Sequence, residues 1–281
     1  MKSPTVLLDG LAFCEGPRWH EGKLFFSDMQ DAKVLSVDLD GHVETIAEVA
    51  GLPSGLGWLP DGRLLVVSME DRRLLRLDSD RLREVADLSA LATYHCNDMV
   101  VDATGRAYIG NFGFDIHAEK PEYRKAEIVL VEPNGRAHVA ASDLAFPNGT
   151  VITPDGRTLI VGESFGARLT AFDVASDGSL SNRRIWAKLE KAVPDGICLD
   201  AEGAIWVASP ISNAVLRVHE GGKVSDRIPV DSQAIACMLG GPDRRTLFIC
   251  TAEDTHPARC RANRKSRIEI VPVEVPGAGF P

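Results

Sequence analysis

Side chains with oxygen donors recur at one position of a repeated pattern in this 281-residue chain. In four repeats this polar residue stands eight positions before the glycine of an expected turn. The four residues are Ser54, Asn97, Asn148 and Asp195. The first repeat is one residue shorter, and there Glu15 stands seven positions before Gly22. In the sixth repeat Ala236 takes the equivalent place. Two carboxylates and two amides in a shared register indicate one site, whereas Pro-Asn-Gly or Pro-Asp-Gly alone would indicate only a turn.

A divalent metal is the chemistry that such a donor set favours. Two carboxylates that meet in a confined space repel each other, and a cation removes that cost. All-oxygen ligation is typical of calcium, magnesium or manganese. We therefore expect one divalent cation, with calcium first and magnesium, manganese, zinc or ferrous iron as alternatives. The predicted ligands are Glu15, Asn148 and Asp195. Asn97 beside them would contact the metal, a bound water or the substrate.

The elements that would position these residues follow from six copies of one unit. Each copy has a tight turn followed by an apolar strand, and the six pieces span 20–28, 60–68, 103–111, 154–162, 201–209 and 242–250. Glycine takes a positive φ without steric cost, so the Asp-Gly and Glu-Gly pairs in these pieces predict hairpins. A further strand follows each piece, at 34–37, 74–77, 128–131, 169–172, 215–218 and 268–271. Weaker fourth strands, as at 42–49 and 81–88, complete units of about 40–50 residues, which are typical of propeller blades.

We therefore predict an all-β fold, a single six-bladed β-propeller over residues 1–281 with four antiparallel strands per blade. The sixth unit ends before its fourth strand, and the N-terminal segment 5–8 is predicted to supply that strand and close the ring. No helical pattern of 10–15 residues separates the strands, which disfavours a parallel βαβ fold. In a propeller the innermost strands begin near the axis, so the polar residues in register would surround the central channel.

Composition narrows the partners. There are 31 Lys and Arg against 40 Asp and Glu, and a net charge of −9 repels nucleic acid and anionic lipid surfaces, so the predicted partner is a small molecule. A local basic cluster near the end of the chain is expected to be a solvated loop or tail, and it consists of Arg259, Arg261, Arg264, Lys265 and Arg267. The first apolar run is too short for a signal peptide, which favours a cytoplasmic location with reduced cysteines.

The motifs in this register resemble the senescence marker protein / gluconolactonase (regucalcin-like) family over nearly the whole chain. The matching residues are Glu15-Gly16-Pro17 with Trp19, Asn97-Asp98 with 102–105, Pro147-Asn148-Gly149 and Pro194-Asp195-Gly196. The resemblance implies a six-bladed propeller with one divalent metal on Glu15, Asn148 and Asp195 and, in many members, hydrolysis of sugar-acid lactones. It also implies that Asp195 doubles as general base. Because a cation lowers the pKa of a bound carboxylate, activation of water mainly by the metal stays open.

Substrate contacts depart from the family pattern. Regucalcin-like members have an Arg two positions before the first site Asn, and His95 stands there in this chain. The stretch 110–115, with Asn111, Phe112 and Asp115, is predicted to line or cap the channel mouth, and Glu163 is predicted at its rim. The loss of the Arg and the added aromatics favour a less polar lactone. An ordinary aldonolactone held by Asn111 and Asp115 stays open.

The predicted function is a metal-dependent lactone hydrolase, a carboxylic-ester hydrolase that acts as a monomer or weak homodimer. Two alternatives stay open: a calcium-dependent organophosphate hydrolase, as in a more distant set of related propellers, and a non-catalytic calcium-binding propeller. Residues 162–166 match G-x-S-x-G, but a nucleophile elbow needs a helix after the turn, where a strand is expected here. A serine hydrolase is therefore disfavoured.

Overall fold

The computed structural model describes residues 3–279, and these form 24 strands in six four-stranded antiparallel sheets. The first blade contains β2 (Cys14–His20), β3 (Lys23–Asp28), β4 (Lys33–Val37) and β5 (Val43–Glu48). The second blade contains β6 (Pro53–Trp58), β7 (Leu64–Ser68), β8 (Arg73–Asp78) and β9 (Arg81–Asp87). The third blade contains β10 (Cys96–Val101), β11 (Ala107–Asn111), β12 (Ala126–Val131) and β13 (Ala137–Leu144). The predicted six-bladed propeller with four antiparallel strands per blade is confirmed.

The remaining blades repeat the plan. The fourth blade contains β14 (Pro147–Ile152), β15 (Thr158–Glu163), β16 (Arg168–Val174) and β17 (Leu180–Lys188). The fifth blade contains β18 (Ile197–Leu199), β19 (Ile205–Ser209), β20 (Ala214–Val218) and β21 (Val224–Pro229). The sixth blade contains β22 (Gln233–Gly240), β23 (Thr246–Ala252) and β24 (Ser266–Pro272), with β1 (Thr5–Leu11) as its fourth strand. The N-terminal strand therefore closes the ring as predicted. It pairs antiparallel with β24, with Thr5 opposite Ile270 and Leu11 opposite Ser266.

Burial follows the position of each strand in its blade. The second strands β7 and β19 are buried at every residue because other blades cover both of their faces, and their sequences LLVVS and IWVAS are accordingly apolar runs. The outer strand β21 is mostly exposed. The core lies between blades, and one cluster joins Phe26, Trp206 and Phe248 from the first, fifth and sixth blades. This packing holds the six innermost strands around one axis.

The predicted hairpin turns use left-handed backbone where the sequence places glycine. Five of these glycines have φ between +70° and +86°, and they are Gly22, Gly62, Gly105, Gly156 and Gly203. In the sixth blade Arg244 takes the same conformation with φ +57°. The repeat is therefore a repeat of backbone conformation, which a non-glycine residue adopts at a cost of about 1–2 kcal/mol.

The prediction of a solvated loop or tail for the basic cluster is correct only in part: Arg264 and Lys265 are exposed and outside any helix or strand, whereas the other three residues lie on a short helix or on β24. Pro257–Asn263 forms the short helix α1 between β23 and β24. Arg261 donates to Oε1 of Gln30 at 2.8 Å, and Arg264 donates to the Gly10 carbonyl at 2.8 Å and to Asp31 at 3.0 Å. Acceptors from the first blade and β1 thus order these arginines, and those acceptors lie more than 200 positions away in the sequence.

Three further features bear on function. Residues 164–166 form one 3-10 turn between β15 and β16, so no α-helix follows the G-x-S-x-G segment and the nucleophile elbow is absent there. Among residues 3–279, no helix is long and apolar enough to cross a membrane. All six cysteines are buried and free of disulfides, in agreement with the prediction of reduced thiols.

Candidate metal centre

A cavity of about 290 Å³ lies where the innermost strands begin. All four predicted centre residues line it: Glu15, Asn97, Asn148 and Asp195. They come from the first, third, fourth and fifth blades, and the blade fold brings together positions as far apart as 15 and 195. Ser54 and Ala236 hold the equivalent positions in β6 and β22, where both are buried and neither lines the cavity.

Local backbone irregularities aim these side chains. Five of the six innermost strands have a register shift against the second strand, and in β2, β10 and β14 it falls at or just after the predicted ligand. Such bulges redirect a side chain and interrupt the ladder. In the fifth blade Asp195 lies just before β18, where its N–H donates to the Ala208 carbonyl at 2.9 Å and its carbonyl accepts from Gly149 at 3.1 Å. The shared register seen in the sequence thus reflects a shared interruption of the strands.

The two carboxylates lie in the cavity without a cationic partner. Glu15 is 5% exposed, and its pKa is raised well above the usual range by burial and by the neighbouring charges of Asp195 and Asp98. Burial raises the pKa of Asp195 to about 8. Arg18, whose charge acts on Glu15, pairs instead with Asp98 at 2.8 Å. Within residues 3–279, neither Glu15 nor Asp195 forms an ion pair.

The amide of Asn148 is oriented with its oxygen unused. Its Nδ2 donates to Oγ of Ser164 at 3.3 Å, and Ser164 in turn donates to the Pro194 carbonyl at 2.7 Å. Oδ1 of Asn148 is buried and has no hydrogen-bond partner among the described residues. A buried acceptor without a donor costs free energy comparable to a lost hydrogen bond, which a cation would recover.

The amide of Asn97 is oriented the other way from that of Asn148, with its nitrogen and not its oxygen unpaired. Its Oδ1 accepts a long hydrogen bond of 3.4 Å from Ser54 Oγ, and its buried Nδ2 has no partner among residues 3–279. Asn97 as placed therefore offers an N–H donor to the cavity, suited to a water or a carbonyl oxygen. Two carboxylates and a free amide oxygen fit a hard divalent cation, and Glu15, Asn148 and Asp195 are the residues that would hold it.

Besides Asn97, three of the predicted substrate contacts line the cavity, namely His95, Phe112 and Asp115. His95 stacks on Tyr94 with ring centroids 4.1 Å apart, and burial lowers its pKa. Phe112 stacks on Phe146, another lining residue, at 4.8 Å. The wall on this side is aromatic and has no fixed positive charge.

Asn111 and Glu163 do not line the cavity, and their predicted contact with substrate is corrected. Asn111 holds the turn after β11, where its Nδ2 donates to Glu127 at 3.1 Å and its Oδ1 accepts from the Gly113 N–H at 2.9 Å. Glu163 is fully buried and binds Arg168 at 2.9 Å and Arg183 at 3.1 Å. Both point away from the cavity because their partners lie on outer strands or connecting turns.

Glu163 nevertheless shapes the wall. Its Oε2 accepts from the Ala145 N–H at 2.8 Å, one residue before Phe146, whose φ is +63°. Phe146 stacks on Phe112 in the cavity. The Glu163 carboxylate therefore helps to position Phe146, although Glu163 itself does not line the cavity.

Sequence reasoning missed several lining residues that a simple signal would have found. The residue directly after the second strand lines the cavity in three blades, as Met29, Met69 and Phe112, and of these Phe112 was predicted whereas Met29 and Met69 were not. Extending the repeat register to that position would have identified them. Arg18 and Asp98 below the centre gave no such signal, since their pairing is between strands 80 positions apart.

The fold and the centre define a class of protein: a six-bladed propeller whose axial cavity gathers hard oxygen donors. Residues 13–253 match the family described as SMP-30/Gluconolactonase/LRE-like region, and the chain belongs to this family. Regucalcin from Danio rerio is 31% identical over 255 residues, which are 85% of this chain and 82% of that protein.

Solved structures agree with this assignment. A gluconolactonase from Xanthomonas campestris is 26% identical with a TM-score of 0.78, and the match covers 96% of this chain and 89% of that one. A regucalcin from Agrobacterium tumefaciens, described as a calcium-binding protein, has a TM-score of 0.82 at 23% identity and covers 98% and 95% of the two chains. The second likeness bears on the fold alone.

Proposed function

We propose that this protein is a divalent-metal-dependent lactone hydrolase. The observation that carries the proposal is the meeting of Glu15, Asp195 and the unpartnered Oδ1 of Asn148 in one cavity, with no ion pair to either carboxylate in residues 3–279. A scaffold has no use for a buried and a half-buried carboxylate that raise each other's free energy in one cavity. The name of the Xanthomonas campestris relative supports a lactone as substrate.

The roles follow from the positions. Glu15, Asn148 and Asp195 would hold the cation, for which calcium is the first candidate and magnesium, manganese, zinc and ferrous iron are alternatives. A bound divalent cation supplies a Lewis acid that polarises a carbonyl and lowers the pKa of water. The free N–H of Asn97 is placed to donate to the lactone carbonyl oxygen or to a water, and the aromatic wall excludes bulk solvent.

In the proposed reaction a single proton moves from water to Asp195 and then to the leaving group. The oxygen of a water attacks the carbonyl carbon, its proton passes to a carboxylate oxygen of Asp195, and the ring C–O bond breaks. The leaving alkoxide then takes a proton, which leaves a hydroxy acid and restores the Asp195 carboxylate. A positioned general base contributes about 10²–10⁴-fold to such a reaction.

The test is turnover of γ- and δ-lactones by protein stripped with chelator and then resupplied with each of the five metals. We expect no hydrolysis without metal and a loss of at least about 100-fold in Asp195→Asn. Asp80→Asn is the matched control, because that carboxylate is 84% exposed on a turn. Retention of full activity after exhaustive chelation would sink the proposal.

The same assay separates the other candidates. Fast fluorophosphate cleavage without lactone turnover would favour an organophosphate hydrolase. Metal binding by calorimetry without turnover of either substrate would favour a binding module. The cytoplasmic location and the monomer or weak homodimer remain predictions, to be checked by fractionation and by light scattering.

A further inference from the structure

The cavity walls next to the candidate metal centre are apolar. Outside the centre, all buried or half-buried lining residues except Gln30 are apolar or aromatic, and they include Met29, Met69, Phe112 and Phe146. The amide oxygen of Gln30 is already bound to Arg261 at 2.8 Å. The interior therefore offers a ligand chiefly aromatic rings and methionine side chains.

Polar lining residues are confined to the mouth. Glu70, Asp115, His117 and Thr255 line the cavity and are all exposed to solvent. None of the described lining residues is Lys or Arg. Carboxylates at the mouth disfavour an anionic ligand, and the interior has few groups that could pair with a ring of hydroxyls.

The aromatic wall continues past the mouth. Phe146 packs edge-on against Phe165 at 5.3 Å, and Phe165 contacts Tyr123 at 6.0 Å. Phe165 is 59% exposed and Tyr123 is 51% exposed. Large exposed aromatics continuous with a cavity are an apolar surface on which a ligand substituent can pack.

We propose that this cavity selects neutral lactones whose ring has an apolar alkyl or aryl substituent, in preference to polyhydroxylated sugar lactones. The inference rests on the proposed lactone hydrolysis and names its substrate class. The lactone carbonyl would face Asn97 and the three oxygen donors, and the substituent would lie along Phe112, Phe146 and Phe165. Sugar hydroxyls in the same place would lose water without gaining partners, which is costly.

The test compares δ-decalactone, glucono-δ-lactone and unsubstituted δ-valerolactone on the metal-loaded enzyme. We expect kcat/KM for δ-decalactone to exceed that for glucono-δ-lactone by at least about 10-fold. Phe165→Ala should lower kcat/KM about 3- to 10-fold for δ-decalactone and by a smaller factor for δ-valerolactone, which has no substituent to contact that ring. Ile185→Ala is the matched control, since Ile185 is 51% exposed, close to the value for Phe165, but lies on the outer strand of the same blade.

A second measurement does not depend on turnover. The corresponding lactams resist hydrolysis, and calorimetry gives their dissociation constants directly. We expect the pentyl-substituted lactam to bind at least about 10-fold more tightly than gluconolactam. Equal or tighter binding of gluconolactam overturns the inference. Tight binding of the pentyl lactam with no turnover of any lactone supports the inference about the cavity and contradicts the proposed hydrolase.

Discussion

At the scale of single residues, the floor of the centre is a buried ion pair. Arg18 and Asp98 are each 4% exposed, and the guanidinium also donates to the carbonyls of Pro17 and Met99. Asp98 accepts from the Met99 N–H at 2.8 Å as well. The charges of both partners act on Glu15, but the guanidinium is bound to Asp98 and to two carbonyls and forms no ion pair with the carboxylates of the centre.

Breaking this pair from one side should be costly. In Arg18→Met the Asp98 carboxylate stays buried without its cation, and we expect the free energy of unfolding to fall by about 3–5 kcal/mol. Urea unfolding of the metal-loaded protein measures it. Arg63→Met is the control, because Arg63 pairs with Asp61 on an exposed turn, and it should cost clearly less. Equal losses in the two variants would contradict the structural role of the floor pair.

The donors of the centre could be predicted from sequence, whereas their surroundings could not. Glu15, Asn148 and Asp195 were found because a repeated fold puts equivalent positions at one axis. No repeat marks Glu163, whose arginine partners come from two other strands of its blade. An isolated carboxylate after a strand resembles a rim residue until the partners on neighbouring strands are known.

At the scale of elements, glycines let the innermost strands approach one another at the centre. A Cβ on Gly149 would lie 2.6 Å from the Asp195 carbonyl and would also collide with the Ile197 N–H. The Gly149 N–H donates to that same carbonyl at 3.1 Å. The contact between β14 and the segment before β18 therefore fixes the distance between two predicted ligands, Asn148 and Asp195.

Gly149→Ala should accordingly damage the centre more than the fold. We expect metal affinity, measured by calorimetry, to fall at least about 10-fold, because shifts of about 1 Å at a ligand are poorly tolerated. Gly156→Ala is the comparison. That turn glycine has φ +70° and open space around it, so alanine there costs only backbone strain. If the two variants bind metal equally well, the close approach does not set the centre.

The strands were largely predictable, and the irregular elements were not. All six strands expected after the turn pieces lie within observed strands, such as 34–37 within β4 and 268–271 within β24. Alternation and turn residues are local signals, which explains this success. The helix α1 was missed because its seven residues have no apolar periodicity, and a contact with Gln30 of the first blade orders Arg261.

At the scale of the whole molecule, the pairing of β1 with β24 joins the N-terminal and C-terminal parts of the chain in one blade. Removing residues 1–11 would expose the edge of β24 and leave the sixth blade with three strands. We expect the truncated protein to unfold at a lower temperature and to form soluble aggregates, which calorimetry and size-exclusion chromatography would detect. A monomeric truncation with an unchanged melting temperature would show that the ring does not depend on β1.

The stability of the whole molecule also depends on the charge of the candidate metal centre. In the metal-free protein the pKa of Asp195 is raised from 3.8 to about 8, and that of Glu15 is raised as well. An acid whose folded-state pKa is raised contributes stability that is fully present below its unfolded pKa and is lost as pH rises through the folded value. Between about pH 4 and pH 8, the stability of the metal-free protein should therefore fall.

We expect the melting temperature of chelated protein to decrease steadily across that window and saturating divalent metal to remove most of the decrease, because the cation favours both ionised carboxylates. Metal binding near neutral pH should also release protons, which calorimetry in buffers of different ionisation enthalpy measures. The double variant Glu15→Gln, Asp195→Asn is the control, since it retains the other buried acids such as Asp28 and Asp98. If wild type and double variant show the same pH dependence, the two carboxylates do not share the strained site that makes a cation necessary.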